Sequence, residues 1–224
     1  SASGVWINEK AETTVPGLYA AGDMASMPHG YMLGAFTYGW FAGQNAAAYI
    51  ADSAAARIDG EQIESEKARI AAPLARTGGI PPNQLEYKLR RMVNDYLQPP
   101  KVTSKMRLAQ ERFLEVGEDL DRLVAANPHE LMRALEVGHI YDCAQMAAHA
   151  SLYRTESRWG LYHYRADYPE RNDAEWFTHC HLRKSADGAM ESIKRPVEPY
   201  ILPLDDAEKT AYQRLRIVKE AAIA

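Results

Sequence analysis

Along most of the chain, apolar residues recur every three or four positions, the spacing that gathers them on one face of a helix. From about Gly34 the series Phe36, Gly39, Trp40, Gly43, Ala46, Ala47 and Ile50 predicts a helix ending by Asp59-Gly60, with the glycine just past its C-terminus. Ile63, Ala68, Ile70 and Leu74 mark a second helix over 61–76, broken at Pro73, because proline removes a donor and crowds the preceding turn. Thr77-Gly78-Gly79-Ile80-Pro81-Pro82 then reads as a linker. Three amphipathic helices follow. The first, 83–97, carries Leu85, Leu89, Met92, Val93 and Tyr96 and stops at Pro99-Pro100. The second, 103–125, carries Met106, Phe113, Val116 and Leu120, with Thr103 as its N-cap. The third opens on Asn127 as N-cap, Pro128 at the first helical position and Glu130 closing a capping box, and runs to about Arg154. Together they predict an antiparallel bundle.

Strand patterning is confined to short stretches. Residues 1–24 read as two short strands, Ser3 to Ile7 and a buried Leu18 to Ala21, around a polar turn from Asn8 to Thr14. Beyond an aromatic- and arginine-rich run at 157–169, Phe177 to Lys184 and Ala189 to Lys194 predict a hairpin turning at Asp187-Gly188. Asp205 would cap a final helix to about Ala221. The expected fold class is mainly α with a few short strands (α+β): a strand–loop–helix, a three-helix bundle and a C-terminal β-hairpin. Domain divisions are expected at 1–60, 61–82 (helix and linker), 83–156 (bundle) and 157–224.

Composition narrows the function classes. The chain has 224 residues, 46% hydrophobic and 25% charged, enough to bury a core. A net charge of -4 supplies no basic field for nucleic acid or an anionic membrane. No apolar run approaches the ~20 residues of a membrane helix, so direct membrane insertion is not expected. Cys143 and Cys180 lack CxxC spacing and fit a reducing compartment, the cytoplasm.

Candidate chemistry centres on Val15-Pro16-Gly17-Leu18-Tyr19-Ala20-Ala21-Gly22-Asp23 and the loop and helix after it. A strand ending in Gly-Asp, then a helix N-terminus, makes half of a cofactor site: ligands sit at strand carboxyl ends, and a helix start offers unpaired N–H groups. The stretch resembles the closing FAD-binding motif of the fumarate reductase/succinate dehydrogenase flavoprotein family, to which adenylylsulfate reductase α subunits belong. A second stretch, Glu156-Ser157-Arg158, Tyr164-Arg165-Ala166-Asp167-Tyr168-Pro169, Trp176, the hairpin and Pro199-Tyr200, is similar to the carboxy-terminal segment of those α subunits. The resemblance implies that Gly22 and Asp23 bind FAD, Asp23 through the ribityl hydroxyls, and that the backbone at Ala35, Phe36 and Thr37 faces the isoalloxazine carbonyl. It places His29 beside the flavin and substrate, as the candidate catalytic residue. Where succinate dehydrogenases carry a substrate-gripping Arg, this chain has Tyr31 and Met32, which cannot grip a dicarboxylate in that way, and its shorter loop favours the adenylylsulfate reductase-like branch.

A flavoprotein of this family should also carry GxGxxG after its first strand, and none of the 14 glycines is in that pattern. The chain therefore reads as a carboxy-terminal fragment, with 1–60 as the remnant of the FAD domain. Its expected partners are upstream FAD and substrate domains and an iron–sulfur electron-transfer subunit. The alternative reading is a non-catalytic helical docking module at a subunit interface. Arg158 and Arg165 read as structural, stacked on Trp159 or Tyr162 and paired with Asp167 or Asp173, with an anionic substrate as the other possibility. His139 and Cys143 on a helix, and His179-Cys180-His181 in a strand, provide no complete ligand set, so no metal site is expected.

Overall fold

The computed structural model describes residues 4–26, 31–54, 57–158 and 160–197. The chain divides into two compact units between Gly60 and Glu61.

In the first unit, Asn8 organises the expected polar turn: its side-chain oxygen accepts from the N–H groups of Lys10 and Glu12, both at 2.9 Å. The two predicted strands shrink to isolated bridges, Val5 with Ala25 and Glu12 with Tyr19. A strand needs neighbours on which to pack, and here Val5 and Leu18 are 44% and 52% exposed, so Leu18 to Ala21 is not the buried strand predicted. A 3-10 turn at Gly22–Met24 leads towards helix α1, Tyr31–Asp52. That helix ends seven residues before Asp59: the Ser53 hydroxyl turns back onto the Tyr49 carbonyl, a local bond that competes with further helix.

The second unit holds the bundle. Helix α2, Gly60–Ala75, runs through the buried Pro73 instead of breaking there. Proline near the helix end forfeits a single i→i−4 bond, and the Pro73 carbonyl accepts from the Ala125 N–H at 2.9 Å. Helices α3 (Pro82–Leu97), α4 (Thr103–Leu120) and α5 (Pro128–Tyr153) contact one another pairwise. Their core is built from the predicted stripes: Leu85, Leu89 and Met92 of α3, Met106, Phe113 and Val116 of α4, Val137 and Ala148 of α5. Helix α4 stops short of residue 125 because Ile80 captures the chain, donating to the Arg122 carbonyl at 2.9 Å and accepting from the Val124 N–H at 3.1 Å.

At the start of α5 the Asn127 cap matches the sequence reading, while the return bond of the box falls one residue before the cap. Asn127 accepts from the Glu130 N–H at 3.0 Å, and Glu130 reaches back to the Ala126 N–H at 2.8 Å. The cap of α4 does not. Thr103 is the first helical residue rather than the cap, and the Asp167 carboxylate, from far along the chain, accepts its N–H at 2.8 Å. After a short helix α6 (Asp173–Trp176), strands β1 (Thr178–Lys184) and β2 (Met190–Pro196) form an antiparallel hairpin, Lys184 opposite Met190, in contact with α5. Gly188, at φ +86°, takes the left-handed position of its turn. The helix predicted at 205–221 and Pro199-Tyr200 lie outside the described residues.

Candidate functional site

In the first unit the structure brings part of the predicted cofactor half-site together. Gly22 has φ +70°, and a Cβ built on it would lie 3.4 Å from the Ala35 Cβ, so the Gly-Asp turn rests on the early turns of α1. A side chain at position 22 would strain the backbone at this positive φ. The seat is fixed at further points along the same helix. The Tyr19 hydroxyl donates to the Asn45 carbonyl at 3.2 Å, Asn45 Nδ2 donates to the Lys10 carbonyl at 3.2 Å, and Gly17 faces the Tyr49 ring. From the other side, Val5 N–H donates to the Met24 carbonyl at 2.6 Å and Ser26 N–H to the Val5 carbonyl at 2.8 Å.

The side chains this arrangement presents are open. Asp23 is exposed and makes no hydrogen bond among the described residues. Ala35 is half-buried against Gly22, whereas Phe36 and Thr37 are exposed on the same helix. His29, the predicted catalytic residue, lies outside the described residues. No residue of α1 is buried, and Met32, Phe36 and Trp40 are 70%, 71% and 59% exposed, an unusual apolar display for one helix.

The second unit contains a polar network that sequence reasoning foresaw only in part. Arg165, with no exposed surface, donates from Nε to Asp167 Oδ1 at 2.9 Å and from Nη2 to Oδ2 at 3.0 Å. Its remaining donors reach the Ser151 carbonyl, the Arg154 carbonyl and the Thr103 hydroxyl. Its guanidinium stacks over Tyr168, 4.9 Å from the ring centre; Trp159, one of the two rings expected, lies outside the described residues. The Arg165 hydrogen bonds, with those of Thr103, hold the Asp167 carboxyl well below the usual carboxylate range. Glu156, equally buried, accepts from Arg158 Nε at 2.6 Å, from the Asn172 N–H at 2.9 Å and from Arg154. Burial pushes its carboxyl up, and these donors outweigh it and bring it down. Arg158 bridges on to Asp173 at 2.6 Å. Arg158 and Arg165 are thus paired with Asp173 and Asp167, as expected. The bond from the Asn172 N–H to Glu156 and the link from Thr103 to Asp167 had no local sequence signal, because such pairs form only once the chain has folded back.

Other candidates separate. His179 and His181 share a face of β1 with rings 6.0 Å apart, and burial pushes the Cys180 thiol up. Among the described residues no three His, Cys, Asp or Glu side chains converge on a metal position, and no helix is long and apolar enough to cross a membrane.

A bundle of this order, following a Gly-Asp turn and its helix, is the carboxy-terminal architecture of a flavoprotein class. The model of the fumarate reductase flavoprotein C-terminal domain matches residues 86–211, and the chain belongs to that family. It is 30% identical over 217 residues to the fumarate reductase flavoprotein subunit of Mycobacterium tuberculosis, covering 87% of this chain and 36% of that subunit. It is 26% identical over 181 residues to an uncharacterized FAD-dependent oxidoreductase of Methanocaldococcus jannaschii, covering 77% of this chain and 32% of the other. Among solved structures, adenylylsulfate reductase of Archaeoglobus fulgidus superposes with a TM-score of 0.81 at 30% identity, over 87% of this chain and 34% of that one. Quinol fumarate reductase of E. coli shares the fold, with a TM-score of 0.71 at 20% identity over 90% of this chain and 37% of that one. The chain thus spans about a third of the length of the curated relatives it matches.

Proposed function

We propose that this chain is the carboxy-terminal part of an FAD-dependent oxidoreductase, supplying one side of the flavin site and a helical domain. The observation that carries the reading is the seating of Gly22 on Ala35, which fixes an unengaged Asp23 carboxylate beside the first turns of α1. A carboxylate with free lone pairs suits the ribityl hydroxyls of FAD, and the backbone at Ala35, Phe36 and Thr37 suits its ring carbonyl. When bound, FAD supplies the hydride or electron chemistry; these residues hold and orient it. His29 is proposed to stand next to the reacting ring as a neutral donor to substrate. Upstream FAD and substrate domains complete the site, and electrons leave to an iron–sulfur subunit, in keeping with relatives that are themselves flavoprotein subunits. Two free cysteines favour the cytoplasm.

The test is a pair of variants in the protein extended upstream. Asp23→Ala should purify with most of its flavin absorption lost and its circular dichroism unchanged. His29→Ala should keep its flavin and lose at least about a hundredfold in kcat, the scale of a removed general acid or donor. Unchanged flavin content in Asp23→Ala overturns that assignment, and wild-type kinetics in His29→Ala removes it from the mechanism. An upstream region unrelated to dinucleotide binding would favour the docking module, for which the exposed apolar face of α1 is the specific support.

A further inference from the structure

Among the described residues, each carboxylate of the network around Arg165 is already engaged. Glu156 is shared by Arg154 and Arg158, Asp173 by Arg158 and Arg171, and Asp167 is taken up by Arg165 and Thr103. Lys101 joins this network through its backbone, donating to the Tyr164 carbonyl and accepting from the Ala166 N–H, both at 2.9 Å. Its Nζ donates to Ser151 Oγ at 2.9 Å, while the Ser151 carbonyl accepts from Arg165 Nη1 at 2.7 Å. Among the described residues Lys101 forms no ion pair, and one hydroxyl accounts for one of its three donors. Burial and the neighbouring Arg165 pull its pKa down. His163 lies against the same charges, its Nε2 3.4 Å from the Arg154 carbonyl. A partly desolvated ammonium beside a guanidinium either sheds its proton or takes a counter-anion.

We propose that the Lys101 ammonium forms a binding site for a small oxyanion of the phosphate or sulfate class, with the neutral His163 ring near it as a reporter of the bound charge. Both residues are half-buried rather than sealed, so an ion can reach them from solvent. The compact ammonium acts as a point charge, which suits a tetrahedral oxyanion. The site lies in the second unit, within the network that ties segment 154–173 to the start of α4.

Calorimetric titration of inorganic phosphate into the full chain, at pH 7 and constant ionic strength, tests this. Saturable one-site binding is expected in the wild type and its loss in Lys101→Met. Thermal unfolding should follow, with Tm rising by about 3 °C in wild type at tenfold excess over Kd and by no more than the general salt effect in the variant. Absent saturable binding in the wild type, or equal binding in the variant, overturns the site. If Lys101→Met does not fold, NMR titration of His163 in the wild type decides. Bound phosphate should raise its midpoint, and an unmoved midpoint overturns the proposal.

Discussion

His163 is kept neutral by its neighbours. Burial is the largest cause, and the cations Lys101, Arg154 and Arg165 add to it, against a single hydrogen bond to the Arg154 carbonyl; its pKa falls from 6.5 to about 4. The unfolded chain therefore binds a proton here that the folded chain refuses, so stability falls as pH drops from 6.5 to 4 and is restored above that window. For a half-buried ring, with solvent screening allowed for, the loss is about 1–2 kcal/mol. Urea unfolding at pH 7 and pH 4.5 should show this decline in the wild type, and His163→Gln, which retains an amide donor, should flatten it. The paired carboxylates act lower down: Asp173, lowered to about 2 by hydrogen bonds from Arg171 and Arg158, loses its contribution only as pH falls below about 4. An equal decline in His163→Gln would show that another group carries the dependence.

Glycine positions separate contacts that can give from contacts that cannot. A Cβ on Gly79 would lie 2.1 Å from the Arg122 carbonyl oxygen and 2.7 Å from Val124 Cγ1, so it would break the pairing of Ile80 with the chain leaving α4. On Gly117 it would lie 2.7 Å from the Tyr141 hydroxyl, the far end of a side chain. Gly79→Ala should therefore cost at least about 2 kcal/mol, whereas Gly117→Ala regains up to about 1 kcal/mol of helix propensity and should end within about 1 kcal/mol of wild type. Denaturant midpoints of the two variants check the contrast, and comparable losses would refute it. The same distinction explains what could be read in advance. The stripes on α3, α4 and α5 and the Asn127-Pro128-Glu130 cap are local, so spacing alone revealed them. The Asp167 cap on α4 and the Ile80 clamp join residues far apart in sequence, and no window contains both partners. Strands 3–7 and 18–21 failed as strands because a β-segment is defined by its neighbours, while the hairpin, whose partner lies one turn away, was legible. In the candidate site of the first unit the Gly22-Asp23 turn and the helix after it were readable, but the seat of that turn on Ala35, and the anchors at Tyr19 and Asn45, depend on packing between segments.

Stability is distributed unevenly between the two units. The second has a continuous apolar core, with Leu89, Met106, Val116 and Val137 inaccessible to solvent. The first buries Ala11 and Ala25 but no residue of α1, which is tied down by Tyr19, Asn45 and the Gly17 and Gly22 contacts. Helices draw most of their stability from packing an apolar face, so α1 has little beyond these ties. Amide hydrogen exchange on the intact chain should then split: α3, α4 and α5 exchanging only through global opening, and α1 faster by at least about a thousandfold, as for a locally opening segment. Equal protection of α1 and α5 would mean the first unit is stabilised by more than the contacts named. In the upstream-extended protein, α1 should gain protection, and gain more when FAD is added, because the residues proposed to face the flavin lie on it. Protection that rises with the added polypeptide but ignores FAD would identify the apolar face of α1 as a docking surface and leave the flavin assignment of Asp23 without support.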